Sequence, residues 1–99
     1  SHFAYSFGIY HQDGDPFRVK VRFAPEAARY VSEKVWHVSQ TLEQEDDGSV
    51  ILIVELSSTR SFMSWVLGFR SAATVLEPES FVEEMRNEVA AMGKNYAAS

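Results

Sequence analysis

The amino-acid sequence predicts an α+β domain with a ferredoxin-like split β-α-β arrangement, in the order β-α-β-β-α-β-α. Residues 18–23 alternate strictly between cations and apolar side chains, residues 50–56 form a nearly continuous apolar run, and helical apolar spacing follows each segment. Because β-α-β crossovers are right-handed, this order favours a four-stranded antiparallel sheet with the helices on one face.

The first strand and helix are predicted in the first half of the chain. In residues 18–23, apolar side chains at alternate positions indicate a strand with one buried face. Pro25 and Glu26 then predict a helix start, since proline fits the first turn and an acid suits the positive end of the helix dipole. Ala24 is a weak N-cap. The expected buried face of this helix consists of Ala27, Ala28, Val31 and Val35.

A hairpin is predicted next. Residues 36–45 are interpreted as the second strand, and the β-branched run at residues 50–56 as a central strand. Asp46, Asp47 and Gly48 between them suit a three-residue loop, in which glycine supplies the positive φ.

The last three elements follow the hairpin. Residues 57–59 offer N-caps for a helix whose apolar residues recur at i, i+3, i+4 and i+7. Residues 72–76 are expected to form the fourth strand. Pro78 then opens a final helix, which we expect Gly93 to end. The predicted apolar face of that helix consists of Phe81, Val82, Met85, Val89 and Met92.

Composition narrows the function classes. The 99 residues suffice for one domain, with 45% hydrophobic and 23% charged residues. The chain has no cysteine, and its histidines lack metal-ligand spacing, so we expect neither a metal nor a cofactor. A net charge of −5 opposes duplex-DNA binding by this chain. No apolar run approaches the roughly 18 residues of a membrane span, no secretory signal is visible, and we expect a cytoplasmic protein.

The N-terminal segment is unusually apolar for a linker. Its apolar residues are Phe3, Tyr5, Phe7, Ile9 and Tyr10. A turn signal at residues 13–16 separates them from the first strand. Since these side chains have no place in the predicted core, we expect them to pack on the domain's surface or on a second copy, giving a homodimer.

Several short motifs occur together along the chain. Residues 33–40 contain E-x-x-W-H-x-S-Q, and residues 46–49 are D-D-G-S. Residues 19–23 contain V-x-V-R-F, residues 65–69 are W-V-L-G-F, and residues 75–78 are V-L-E-P. In order and spacing, this set resembles the C-terminal extension (WCX) domain of bacterial WYL-domain transcription regulators, over about residues 5 to 96.

The resemblance implies a regulatory, oligomerisation and effector-sensing role. Residues 1–16 would be the connection from a preceding WYL domain and residues 17–99 the extension domain. DNA contact would be made only by an N-terminal winged helix-turn-helix absent from this chain, and the domain would not be an enzyme. The alternative is a stand-alone small-molecule-binding or enzymatic ferredoxin-like domain.

One position departs from the family pattern. The family usually has glycine where this chain has Arg70, and Gly68 lies two residues earlier. Either the helix cap is shifted, or Arg70 adopts a left-handed conformation at a cost of about 1 kcal/mol.

Two groups of residues are candidate binding sites. Arg18, Lys20 and Arg22 lie on one strand face and could form an anionic-effector site, a single-stranded nucleic-acid contact, salt bridges or a solvated row. No aromatic side chain accompanies them for base stacking. His37 and Gln40 could line a polar ligand pocket, or could satisfy nearby backbone groups while Trp36 joins the core. Ser39 and His37 lack an orienting acid, so no catalytic residues are predicted.

Overall fold

A computed structural model describes residues 16–97 of the chain. Its elements are β1 (Phe17–Phe23), α1 (Pro25–Ser32), β2 (Thr41–Gln44), β3 (Val50–Leu56), α2 (Arg60–Leu67), a 3₁₀ turn (Arg70–Ala72), β4 (Ala73–Glu77) and α3 (Glu79–Tyr96). This order confirms the predicted α+β split β-α-β fold. The predicted connection at residues 1–16, with its apolar cluster, lies outside the described residues except for Pro16.

The strands form one antiparallel sheet in the order β2-β3-β1-β4. In β1, Val19 pairs with Val54 and Val21 with Leu52, and these four side chains are fully buried under the helices. Because side chains alternate along a strand, the cations of β1 and the residues Ile51, Ile53 and Glu55 of β3 lie on the opposite, open face of the sheet.

Aromatic side chains join the helices to the sheet. The rings of Phe23 and Phe69 are 4.9 Å apart and edge-to-face, and Phe23 meets Trp65 at 5.6 Å. Phe62 of α2 and Phe81 of α3 are both buried, with ring centroids 6.0 Å apart. Such pairs contribute about 0.5–1.5 kcal/mol beyond the burial of their area. The start of α3 is therefore anchored in the same core as α2.

The hairpin between β2 and β3 forms as predicted. Gly48 has φ +93°, and its N–H donates to the carbonyl of Glu45 at 3.1 Å. The N–H of Glu45 donates to the carbonyl of Ser49 at 2.9 Å, which closes the loop. Glycine is required here because L side chains rarely adopt this backbone conformation.

Two predictions about the region after α1 are wrong. Val35 is exposed rather than buried, because α1 ends at Ser32. Residues 36–40 form a loop rather than the beginning of β2. The physical reason is local: the side chain of Gln40 accepts the N–H groups of residues 36 and 37, which a strand would offer to its neighbour.

The end of α3 also differs from the prediction. Gly93 lies inside the helix, which continues to Tyr96, and Gly93 lacks the positive φ of a helix-ending glycine. In addition, only the first part of the predicted apolar face is covered. Phe81 is buried and Val82 and Met85 are partly buried, whereas every residue from 86 to 97 is exposed.

The turn after α2 is strained at Arg70. Arg70 has φ +59°, which is left-handed, while Gly68 has an ordinary helical φ of −64°. The cap has therefore not shifted onto the nearby glycine. The chain tolerates a non-glycine residue in this conformation, at a cost of about 1 kcal/mol.

Candidate functional site

Arg18, Lys20 and Arg22, called here the cation row, share one face of β1 as predicted. That face is the open face of the sheet, and each cation is paired with a carboxylate. The Nε of Arg18 is 3.6 Å from the Oε2 of Glu55, its cross-strand partner. The Nζ of Lys20 is 3.9 Å from the Oε2 of Glu77 on the other neighbouring strand. Pairing with these acids relieves the repulsion between like charges on one strand face.

Arg22 makes the tightest contacts of the row. Its Nη2 donates to Oδ2 of Asp47 at 2.7 Å and to Oγ of Ser49 at 2.6 Å, and its Nε donates to Oε1 of Glu45 at 3.2 Å. Ser49 is fully buried. Arg22 therefore ties the tip of the β2–β3 hairpin to β1, and its guanidinium is occupied by the domain itself.

The surroundings of Asp47 keep its carboxylate ionised. Its Oδ1 accepts the N–H of Ser49 at 2.9 Å. That bond, followed by the hydroxyl of Ser49 and the charge of Arg22, lowers the pKa of Asp47 below its ordinary value of 3.8. The carboxylate is thus ionised at neutral pH and remains so into mildly acidic solution.

Trp36 fills the gap below the end of α1. Its indole ring is buried, and its Nε1 donates to the carbonyl of Val31 at 2.9 Å. That carbonyl belongs to the last turn of α1, where carbonyls have no partner within the helix. The ring also packs on Tyr30 and Trp65, with centroids 5.4 and 4.8 Å away. Trp36 is therefore a core residue that also caps α1.

Gln40 holds the same loop together. Its Oε1 accepts the backbone N–H of Trp36 at 2.6 Å and that of His37 at 3.3 Å. Its Nε2 donates to the carbonyl of Lys34 at 3.0 Å. Both ends of the amide are therefore engaged with the backbone of the loop.

His37 and Ser39 link the loop to β3. The N–H of Ser39 donates to Nδ1 of His37 at 3.1 Å, so the neutral ring carries its proton on Nε2. The hydroxyl of Ser39 is 2.8 Å from the same nitrogen and accepts the N–H of Glu55 at 2.8 Å. Burial lowers the pKa of His37 below its ordinary value of 6.5.

Glu55 brings the two predicted sites together. Its N–H is held by Ser39 of the loop, and its carboxylate faces Arg18 of the cation row. The sequence predicted the cations and the pair His37 and Gln40 as two separate sites, with residues 36–40 in a strand, and it gave no role to Ser39. The register between β1 and β3 places Glu55 beside Arg18, and a contact between the loop and β3 places its N–H against Ser39, so the link depends on residues far apart in the chain.

Residues 16–97 contain neither a metal-binding cluster nor a membrane-spanning helix. In this range, no group of three or more His, Cys, Asp or Glu residues is arranged to hold a metal ion. In the same range, no helix is both long and apolar enough to cross a membrane.

Comparison with known proteins relates the chain to a family of domains. No curated protein matches the chain. The WCX domain family matches residues 15–93, a range that contains the cation row, the loop at residues 36–40 and most of α3. Membership of this family is consistent with a regulatory domain of transcription regulators. The match spans most of the chain, and the chain therefore belongs to the WCX domain family.

Proposed function

We propose that this domain joins subunits of a transcription regulator and transmits a regulatory signal within it. DNA would be contacted by a winged helix-turn-helix elsewhere in the same polypeptide. The domain would act through protein contacts and effector binding in the cytoplasm, not through catalysis. Membership of the WCX family supports this context.

The observation that best supports a subunit-joining role is the exposed second half of α3. Val89, Met92 and Tyr96 are 56%, 44% and 86% exposed, although they continue the apolar face that Phe81 and Val82 begin in the core. An apolar face on a helix is normally buried against another element. Here the domain's described residues do not cover it, which favours a contact with another polypeptide.

Sedimentation velocity tests the proposed homodimer. We expect the 99-residue chain to sediment as a dimer at micromolar concentrations. A chain that remains monomeric at several hundred micromolar would contradict the proposed subunit-joining role. Identification of a helix-turn-helix encoded upstream in the same gene would separate this proposal from the alternative of a stand-alone binding or enzymatic domain.

Effector sensing is the second proposed role, and Glu55 supports it. The Arg18–Glu55 pair is loose at 3.6 Å, with side chains 62% and 46% exposed. An anion bound by Arg18 and Lys20 would compete with their carboxylate partners. The N–H of Glu55 is hydrogen-bonded to Ser39. Displacement of Glu55 would therefore alter the position of the loop at residues 36–40.

Titration with inorganic phosphate, followed by amide NMR shifts, tests this second role. We expect the Ser39 and Glu55 signals to move in the parent protein and not in Arg18→Gln/Lys20→Gln. Arg29→Gln, at an exposed i, i+4 ion pair on α1, is the matched control. Equal shifts in all three proteins would show that the cation row is only a solvated face.

A further inference from the structure

We propose that the outer edge of β2, the side of the strand that faces away from β3, binds an extended basic segment of another polypeptide. The segment would add to the sheet as a further antiparallel strand. This inference goes beyond the proposed function and does not depend on whether the domain joins subunits. Three features support it: the backbone groups of β2, a groove beside the strand, and the charge around both.

The backbone of β2 offers hydrogen-bonding groups at its outer edge. The N–H of Glu45, just after β2, donates to the carbonyl of Ser49 at 2.9 Å, so the backbone groups of Glu45 point towards β3. Because these groups alternate in direction along an antiparallel strand, those of Leu42 and Gln44 point the other way. Within residues 16–97, no strand pairs with that side of β2. Its N–H and carbonyl groups are therefore placed to pair with an added strand.

A groove lies between α1 and this edge. Its volume is about 320 Å³, and its lining includes Ala28 and Ser32 of α1 and Gln44 of β2. Leu42 pairs with the buried Leu52, so the side chains of Leu42 and Gln44 point to the helix-bearing face of the sheet. Alternate side chains of an added strand would therefore enter the groove. The small side chains of Ala28 and Ser32 leave room there for apolar residues of modest size.

Acidic side chains around the outer edge determine the charge of the partner. Glu43 is exposed in the middle of β2, and Asp46 is exposed just beyond its end. Among the ion pairs of residues 16–97, neither acid has a cationic partner. Arg29 is the cation of the groove lining, and its Nε is already 3.0 Å from Oε2 of Glu33. The excess of negative charge favours a strand with lysine or arginine opposite Glu43.

The same charge disfavours two other occupants of the edge. A second copy of β2 would place acid against acid. The chain's own residues 1–17 contain no lysine or arginine, and they include Asp13 and Asp15. Charged side chains on an edge strand discourage unspecific strand pairing, so this edge is suited to a partner of opposite charge.

A peptide of alternating lysine and valine, acetyl-Lys-Val-Lys-Val-Lys-amide, is the probe for strand addition. Its central lysine would lie opposite Glu43 on the open face of the sheet, and its valines opposite Leu42 and Gln44 in the groove. We expect saturating peptide to slow hydrogen exchange of the Leu42 and Gln44 amides by about fivefold or more, because those N–H groups gain acceptors. The amides of β4, at the other edge of the sheet, should exchange as before.

Charge reversal tests the choice of partner. We expect Glu43→Lys to weaken binding of the lysine peptide by about fivefold or more and to favour acetyl-Glu-Val-Glu-Val-Glu-amide instead. Glu88→Lys makes the same change at an exposed position on α3 and should match the parent. Isothermal titration calorimetry measures the affinities, and circular dichroism melts check that each variant is folded.

Methylated peptides test the backbone pairing. N-methylation of both valines removes the N–H groups that would donate to the carbonyls of Leu42 and Gln44, and it should abolish binding. N-methylation of the two outer lysines, whose N–H groups would point away from β2, is the matched control and should preserve it. If the lysine peptide does not bind, or binds without protecting the Leu42 and Gln44 amides, the inference is overturned. The sedimentation result for the dimer is independent of either outcome.

Discussion

Gln40 stabilises the loop between α1 and β2 through three hydrogen bonds to backbone groups of residues 34, 36 and 37. We expect Gln40→Ala to lower the free energy of unfolding by about 1–2 kcal/mol, because a part-buried N–H loses its acceptor. Gln44→Ala on the exposed edge of β2 is the control and should change stability by less than about 0.5 kcal/mol. Urea denaturation measures both, and equal effects would show that the Gln40 bonds contribute little.

Arg70 offers a gain in stability. Because Arg70 has φ +59°, we expect Arg70→Gly to raise the free energy of unfolding by about 0.5–1 kcal/mol through loss of strain. Ser71→Gly is the neighbouring control; Ser71 does not have a positive φ, so glycine there should be neutral or destabilising. Thermal melts compare the variants. A lower melting temperature for Arg70→Gly would mean that the arginine side chain offsets its backbone strain.

His37 makes stability depend on pH. Its pKa is lower in the folded state than its ordinary value of 6.5, so the unfolded chain binds the proton more readily. The stability that neutral His37 contributes is therefore fully present above pH 6.5, and it is lost as the pH falls from 6.5 through the pKa of the folded state. Protonation would also place a second N–H against that of Ser39.

The difference in free energy of unfolding between the parent and His37→Gln isolates the pH dependence that His37 causes. As the pH falls below 6.5, the free energy of unfolding of the parent should decline relative to that of the variant. Urea unfolding from pH 8 to pH 5 measures both. A difference that is independent of pH would show that His37 does not titrate in this range.

At the scale of elements, Arg22 determines how the β2–β3 hairpin is held. We expect Arg22→Gln to destabilise the domain by about 1–2 kcal/mol, because Ser49 is buried and Asp47 loses a charged partner. Arg18→Gln is the matched control on the same strand face, where an exposed ion pair contributes about 0–1 kcal/mol. Chemical denaturation measures both variants. Equal losses of stability would show that Arg22 does not hold the hairpin in place. Because substitution of Arg22 would also destabilise the domain, effector binding is best tested at Arg18 and Lys20.

The helices show how far an amphipathic pattern can be interpreted. Apolar spacing correctly located α1, α2 and α3, because period 3.6 depends only on neighbouring residues. The same pattern continues along all of α3, although the core ends near Met85. Spacing identifies an apolar face, but the size of the sheet decides how much of that face is covered.

At the scale of the whole molecule, charge governs nucleic-acid binding. With a net charge of −5 and each cation of β1 facing a carboxylate, we expect no measurable binding of duplex DNA by this chain at physiological salt. Fluorescence anisotropy with a random duplex measures this. Binding below micromolar concentrations at roughly 150 mM salt would contradict the prediction and would place a DNA contact in this domain.

The sequence by itself determined the order of elements, the alternating face of β1, the hairpin loop at Gly48 and the family, because these follow from local periodicity, turn chemistry and short motifs. Tertiary structure decided the rest. The loop at residues 36–40 replaced a strand because Gln40 bonds to nearby backbone, and the cation row found its acids because the register placed Glu55 and Glu77 beside it. The exposed half of α3 and the link from Ser39 to Glu55 likewise depend on residues brought together only by the folded sheet.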